Sequence, residues 1–237
     1  LGFPAVCDNG LLLRPPEQRR RMREALSAHG MALSSYVDHP DRPTSLWTRT
    51  DAASVSALRD RLARALDAGA ALSAAHLTIV AIADGGDAAG QMTRMAGNLG
   101  WAAPLAGEFG IVLALEAVSP RRLPGVLVST VDQAGSVIRA SGAGNVRLLF
   151  DCMHVAMESG NVAAAFARVA PLVGLIQLSD LSRMAPEPDG DCAALLRAAV
   201  AAGYDGVFEL EHMHGEASAA GEKASLRKLA AIDAMVD

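Results

Sequence analysis

Four polar residues stand at or near the ends of short apolar runs. Glu116 closes Ile111–Glu116, Asp151 closes Val146–Asp151, Gln177 lies in Val173–Asp180, and Glu211 closes Gly206–Glu211. An apolar run ending in a carboxylate reads as a buried strand whose last side chain emerges at a site. Three carboxylates converging at one place conflict: burial and like charge protonate some of them at a cost of several kcal/mol. A divalent cation removes the conflict. Two Glu, one Asp and an amide oxygen form an all-oxygen, hard donor set, suited to Mg²⁺ or Mn²⁺ over Zn²⁺. Such a cation polarises an α-hydroxy-carbonyl through both oxygens and stabilises an enediolate. One glutamate can then take a carbon-bound proton and another return it to the neighbouring carbon. Glu116 and Glu211 are the candidates for that pair. His154, three residues after Asp151, is a candidate substrate contact.

Read singly, each residue has a bland explanation. Glu116 could pair with Arg121 or Arg122, Asp151 could cap the next turn, Gln177 could be a core amide, and Glu211 could be solvated beside Glu209. Their recurrence argues against all four together, since they are separated by 35, 26 and 34 residues. An eight-unit α/β barrel of about 250 residues averages roughly 31 per unit. His76, His212 and His214 read as structural, and Tyr204-Asp205-Gly206 as a turn.

The elements that must hold these residues are legible as strand–helix units. Strands are expected at Ala5–Cys7, Met31–Val37, Leu77–Ile82, Ile111–Glu116, Val146–Asp151, Leu175–Ser179 and Val207–Glu211. Helices are expected at Pro15–His29, Ala53–Ala68, Gln91–Phe109, Thr130–Ser141, Val162–Val169, Cys192–Ala202 and Glu222–Met235. His154 falls on a loop just above its strand. Continuously apolar strands alternating with helices indicate parallel strands buried on both faces. The expected fold is a single α/β domain over residues 1–237, a (β/α)8 TIM barrel lacking its first β/α unit. In a barrel, strand C-termini gather at one mouth. A doubly wound open sheet is the alternative; it would not gather four adjacent strand ends, and no GxGxxG turn follows the first strands. The chain opens on Leu1-Gly2-Phe3-Pro4-Ala5-Val6 rather than Met, which reads as a helix end running into a strand. A barrel short of one strand has two edges, so a preceding segment or a partner, a second copy among them, is expected over the gap.

Bulk properties exclude several classes. The net charge is −5, and the one basic run, Arg19–Arg21 with Arg23, shares its helix with Glu17 and Glu24. A nucleic-acid footprint is therefore not expected. Cys7, Cys152 and Cys192 form no CxxC pair, so neither a disulfide framework nor a thiolate zinc site is expected, and a reducing cytoplasm fits. The longest apolar stretch, Val162–Leu178, is broken by Arg168, Pro171 and Gly174, short of the roughly 20 residues of a membrane span.

The order of motifs resembles the hydroxypyruvate isomerase family within the xylose isomerase-like barrels. Leu115-Glu116-Ala117-Val118 with Leu123-Pro124-Gly125 and Thr130 to Ala134 is similar to that family's Glu-Pro-Ile-Asn turn, Pro-Gly-Tyr-Phe and Thr-Glu-Gln-Ala helix start. Phe150-Asp151-Cys152-Met153-His154 resembles its Phe-Asp-x-x-His, and Ile176-Gln177-Leu178-Ser179-Asp180 its Ile-Gln-Ile-Ala-Asp. Gly203-Tyr204-Asp205-Gly206 leading to Leu210-Glu211 is similar to its last strand. The resemblance implies Glu116, Asp151, Gln177 and Glu211 as ligands of a divalent metal. Glu116 and Glu211 would be the acid/base pair, with His154 and Arg183 on substrate oxygens. It implies an isomerase interconverting hydroxypyruvate and 2-hydroxy-3-oxopropanoate (tartronate semialdehyde). A sugar epimerase or inosose dehydratase on the same barrel, and a non-catalytic metal- or sugar-binding relative, remain open. The chain departs from the pattern where Ser119 replaces Asn, where Thr78 stands in place of a His, and across Arg183–Gly190.

Overall fold

The computed structural model describes residues 2–39, 41, 43–187, 189–213 and 218–234. Seven parallel strands form one sheet in strict chain order: β1 (Ala5–Cys7), β2 (Ala32–Val37), β3 (His76–Ile79), β4 (Val112–Glu116), β5 (Val146–Asp151), β6 (Val173–Leu178) and β7 (Val207–Leu210). Between and after them run α1 (Pro16–Ala28), α2 (Ala52–Ala70), α3 (Ala88–Glu108), α4 (Val131–Ser141), α5 (Cys152–Ser159), α6 (Val162–Val169), α7 (Asp191–Ala201) and α8 (Ala219–Asp233). This is the sequential βα architecture expected, a TIM barrel short of one unit.

Helix starts follow from local chemistry. Asp51 accepts from Ser54 N at 3.0 Å to start α2. Thr130 and Gln133 form a reciprocal capping box at α4, and Gly142 closes it in the left-handed region at φ 67°. Such caps satisfy end groups that a helix leaves unpaired. The helices then cover the outer face of the sheet, where Leu77, Leu113, Leu148, Phe150 and Ile176 join helix residues such as Leu99, Ile138 and Phe166 in one core. Tyr36 shows how tightly: its hydroxyl donates to Ala65 O of α2 at 2.8 Å, and a Cβ on Gly69 would lie 2.2 Å from the Tyr36 hydroxyl oxygen.

The inner face is filled separately. Ala114, Leu149 and Leu175 form a small cluster with Val207 against it. Because strand side chains alternate, the next inward positions toward the strand C-termini are Glu116, Asp151, Gln177 and Glu209. The apolar plug is thus the floor on which the polar residues stand. Asp151 is paired in register with Gln177, and Gln177 with Glu209.

The sheet does not close through its backbone. No pairing joins β1 to β7 among the described residues. Side chains cross the seam instead: Ser34 Oγ on β2 donates to Glu209 Oε1 at 2.5 Å, and Asn9 Nδ2, just past β1, donates to Glu211 Oε1 at 3.0 Å. A cavity of about 330 Å³ lies along the seam, bordered by Phe3, Val6, Phe208 and Leu229.

The main local correction concerns His154. It lies in the short helix α5, which follows β5 without a break, rather than on a loop. The basic run is a solvated helix face: Arg20 pairs with Glu17 and Glu24, and Arg21 with Glu17. No helix among the described residues is long and apolar enough to cross a membrane.

Candidate active site

The four expected residues lie at the C-terminal ends of four consecutive strands, β4 to β7. Glu116 is buried, as are Asp151 and Gln177, and Glu211 is half-buried. Side-chain atoms of Glu116, Asp151 and His154 that could hold a metal ion all lie within 4.8 Å of one another. Arg183 connects the other side. It donates from Nη1 to Asp151 Oδ2 at 2.5 Å and from Nη2 to Glu211 Oε2 at 2.6 Å. Asp151 and Glu211 are therefore no farther apart than one guanidinium can bridge.

Asp151 has two roles at once. Its Oδ1 accepts from His154 N at 3.1 Å, capping α5, while Oδ2 faces Arg183. The cap is the bland reading of this residue, and it holds alongside the site reading. Among the described residues Glu116 forms no ion pair with Arg121 or Arg122; Arg121 instead approaches Glu158. Gln177 is satisfied by a carboxylate rather than by backbone, its Nε2 donating to Glu209 Oε2 at 2.8 Å.

His154 is buried, and its protonation is set by a neighbour. Nδ1 accepts from the backbone N–H of Ser119 at 3.3 Å, so in the neutral ring the proton sits on Nε2. Nε2 lies 3.6 Å from Glu116 Oε1, longer than a hydrogen bond. Burial pushes the ring toward the neutral form, although the charge of Asp151 opposes this. In that tautomer Nε2–H faces Glu116 and is free to act as a hydrogen-bond donor. Ser119, noted from sequence only as a departure, is thus the residue whose backbone orients His154.

The electrostatics are those of an excess of negative charge. Burial raises the Glu116 carboxyl well above its ordinary range, and the charges of Asp151 and Glu211 raise it further against the opposing pull of Arg183. Glu211 is pushed up to about 7, first by burial; Arg183 opposes this, and Asp151 and Glu209 add to it. Burial works against the Arg183 charge, but Asp151 and Glu211 outweigh it. Arg183 pairs with Asp151 and Glu211 and feels the charge of Glu116, three carboxylates to one guanidinium, so a divalent cation fits the donor set. Arg183 itself holds φ 61°, a left-handed conformation uncommon for a side-chain-bearing residue and frequent at functional sites.

Three residues at the site went unread in the sequence. Glu209, in the sequence no more than the neighbour of Glu211, is 5% exposed. The period of two from Glu211 is the signal that places it inward. Ser34 and Asn9 carry no local signal, because their role depends on the two ends of the sheet approaching. His76 is structural as expected, with Nδ1 against Ser34 O at 3.0 Å. His214 lies outside the described residues.

Comparison with known proteins fits this geometry. The sequence profile of the xylose isomerase-like TIM barrel family matches residues 1–232. The chain belongs to that family. It is 29% identical over 127 residues to the 2-oxo-tetronate isomerase of Cupriavidus necator, a match spanning 52% of this chain and 48% of that relative. The chain thus matches about half the length of that relative. Among solved structures it is similar to 3-keto-D-glucoside 4-epimerase from E. coli, with TM-score 0.78, 18% identity, and coverage of 96% of this chain and 87% of that one. It is also similar to the IolI protein with a bound zinc atom, with TM-score 0.72, 17% identity, and coverage of 92% and 81%. At these identities the structural likeness carries the fold.

Proposed function

We propose that this xylose isomerase-like chain is a metal-dependent isomerase of small α-hydroxy-carbonyl acids, with hydroxypyruvate and 2-hydroxy-3-oxopropanoate as the expected pair. The observation that carries the reading is the gathering of Glu116, Asp151 and His154 at one place, with Arg183 joining Asp151 to Glu211. Glu116, Asp151, Gln177 and Glu211 would hold the cation, Mg²⁺ or Mn²⁺. When bound, it would supply Lewis-acid polarisation of the substrate carbonyl.

The protein's own groups do the rest. One of Glu116 and Glu211 takes the proton from the hydroxymethyl carbon, giving the enediolate. The other delivers a proton to the adjacent carbon while the hydroxyl proton passes to the former carbonyl oxygen, so the carbonyl moves by one position with no net gain or loss of electrons. Proton transfer by placed carboxylates contributes roughly 10²–10⁴-fold. His154 Nε2–H donates to a substrate oxygen. Arg183, once a cation neutralises Asp151 and Glu211, is available to the substrate carboxylate, where its planar fork gives bidentate recognition. The matched relative is by name an isomerase of a 2-oxo acid, which supports an acid substrate. The tested compounds should therefore include a four-carbon 2-oxo acid.

Solvent deuterium exchange into hydroxypyruvate by Mn²⁺-loaded protein tests the reading. Exchange with hydroxypyruvate or its four-carbon analogue, and none with neutral ketoses, is expected. Exchange with ketoses alone would move the substrate to a sugar. Metal binding with no exchange on any hydroxy-carbonyl would make this a binding protein. Glu211→Gln should reduce exchange by at least about 10²-fold while circular dichroism stays unchanged; near-normal turnover would remove Glu211 from the proton transfer.

A further inference from the structure

Beneath the four strand ends lies a fifth polar residue. Glu209 is inward-facing on β7 and paired in register with Gln177 on β6. Gln177 is 3% exposed, Glu209 5% and Ser34 4%. Gln177 Nε2 donates to Glu209 Oε2 at 2.8 Å, and Ser34 Oγ donates to Oε1 at 2.5 Å. Both donors are neutral. Burying a carboxylate against neutral donors is costly, so its presence calls for a reason beyond packing.

The chemistry of the contact supplies one. Glu209 Oε2 is the acceptor in this contact, and an amide donates only through its nitrogen. Contact with Glu209 therefore fixes which end of the Gln177 amide points down to the floor, and it turns the oxygen away. Resting on the proposed cation site, we infer that Glu209 is a positioning residue: it holds Gln177 by its nitrogen so that the amide oxygen is presented to the metal. Groups that orient metal ligands in this way contribute 10–100-fold in affinity. Glu209 contributes to that affinity through Gln177 and is not itself a ligand.

Calorimetric Mn²⁺ titration of the full chain tests this. Glu209→Leu should weaken binding 10–100-fold. Glu209→Gln, whose carbonyl still accepts from Gln177, should stay within about three-fold of wild type, since the hydrogen bond survives and only the charge is lost. In a Gln177→Leu background, Glu209→Leu should cost nothing further, the signature of a coupled pair in a double-mutant cycle. Equal weakening by E209L and E209Q, or a full E209L loss persisting beside Gln177→Leu, would overturn the inference in favour of a through-space charge effect. Wild-type affinity in E209L would overturn it outright. Should E209L not fold, the wild type suffices. One Gln177 side-chain amide proton must be strongly deshielded in ¹⁵N–¹H spectra of the metal-free protein, and two ordinary amide protons would refute the contact. A wild type that binds no Mn²⁺ at all would bring down the cation site itself, and this inference with it.

Discussion

Arg183 reaches both Asp151 and Glu211, and it occupies the place where positive charge is needed. In metal-free protein it is the counter-charge that lets two carboxylates remain near each other. Removing one partner of a buried ion pair costs about 3–5 kcal/mol, because the other charge is left uncompensated. Arg183→Ala should therefore lower stability by about 3 kcal/mol in chelator, shifting Tm by about 6–12 °C for a chain of this size. Saturating Mn²⁺ should restore most of that loss, since the cation then does the same work. Thermal unfolding with and without Mn²⁺ checks it; an equal loss in both conditions would mean that Arg183 and the cation do not share a place. The residues at this scale divide by how visible they were. Asp151 and Glu116 stood out because each ends a run that is otherwise apolar. Glu209 did not, because a Glu flanked by Phe208 and Leu210 reads as the solvated side of an alternating strand. Its spacing of two from Glu211 is the signal that sets it on the inward, polar side of β7.

Among the elements, α5 is the piece the sequence did not announce. It has eight residues, and Cys152, Met153, His154 and Val155 are buried. A helix this short, buried through its first turn, shows no amphipathic stripe. What starts it is Asp151, the last residue of β5, so one side chain both ends a strand in the site and begins the helix that carries His154. The two roles separate by substitution. Both Asp151→Asn and Asp151→Ala remove the charge that faces Arg183, so both should lose stability and lose Mn²⁺ affinity by more than about ten-fold. Asn is a good N-cap but a poor anionic ligand, so Asp151→Ala should be less stable than Asp151→Asn by about 1 kcal/mol, the worth of the cap. Urea unfolding beside Mn²⁺ titration separates the two, and equal stability of both variants would argue against the cap. The longer elements were legible to within a few residues. β1, β5 and α6 matched their expected bounds, because strand hydrophobicity and capping residues mark both ends.

For the whole molecule, the repeated strand–helix rhythm was enough to give the barrel, since seven apolar strands each separated by a helix leave few other parallel arrangements. The approach of the sheet's two ends was not legible, because no local signal tells Ser34 of Glu209, 175 positions away. That approach has a consequence for how the molecule opens. A closed ring of hydrogen bonds has no first bond to break, whereas a ladder running from β1 to β7 can loosen from either side, held there by Ser34–Glu209 and Asn9–Glu211. Opening should therefore be local and ordered. In native-state hydrogen exchange, amides of β1 and β7 should exchange by low-energy openings, and those of β4 and β5 only by global unfolding. Ser34→Ala should speed exchange at β1, β2 and β7 while leaving β4 and β5 untouched. Uniform protection around the sheet would show that it behaves as a ring. The fraying edges flank Glu211 and Asn9, so the same breathing motion would loosen one wall of the mouth while Glu116 and Asp151 stay on the most protected strands.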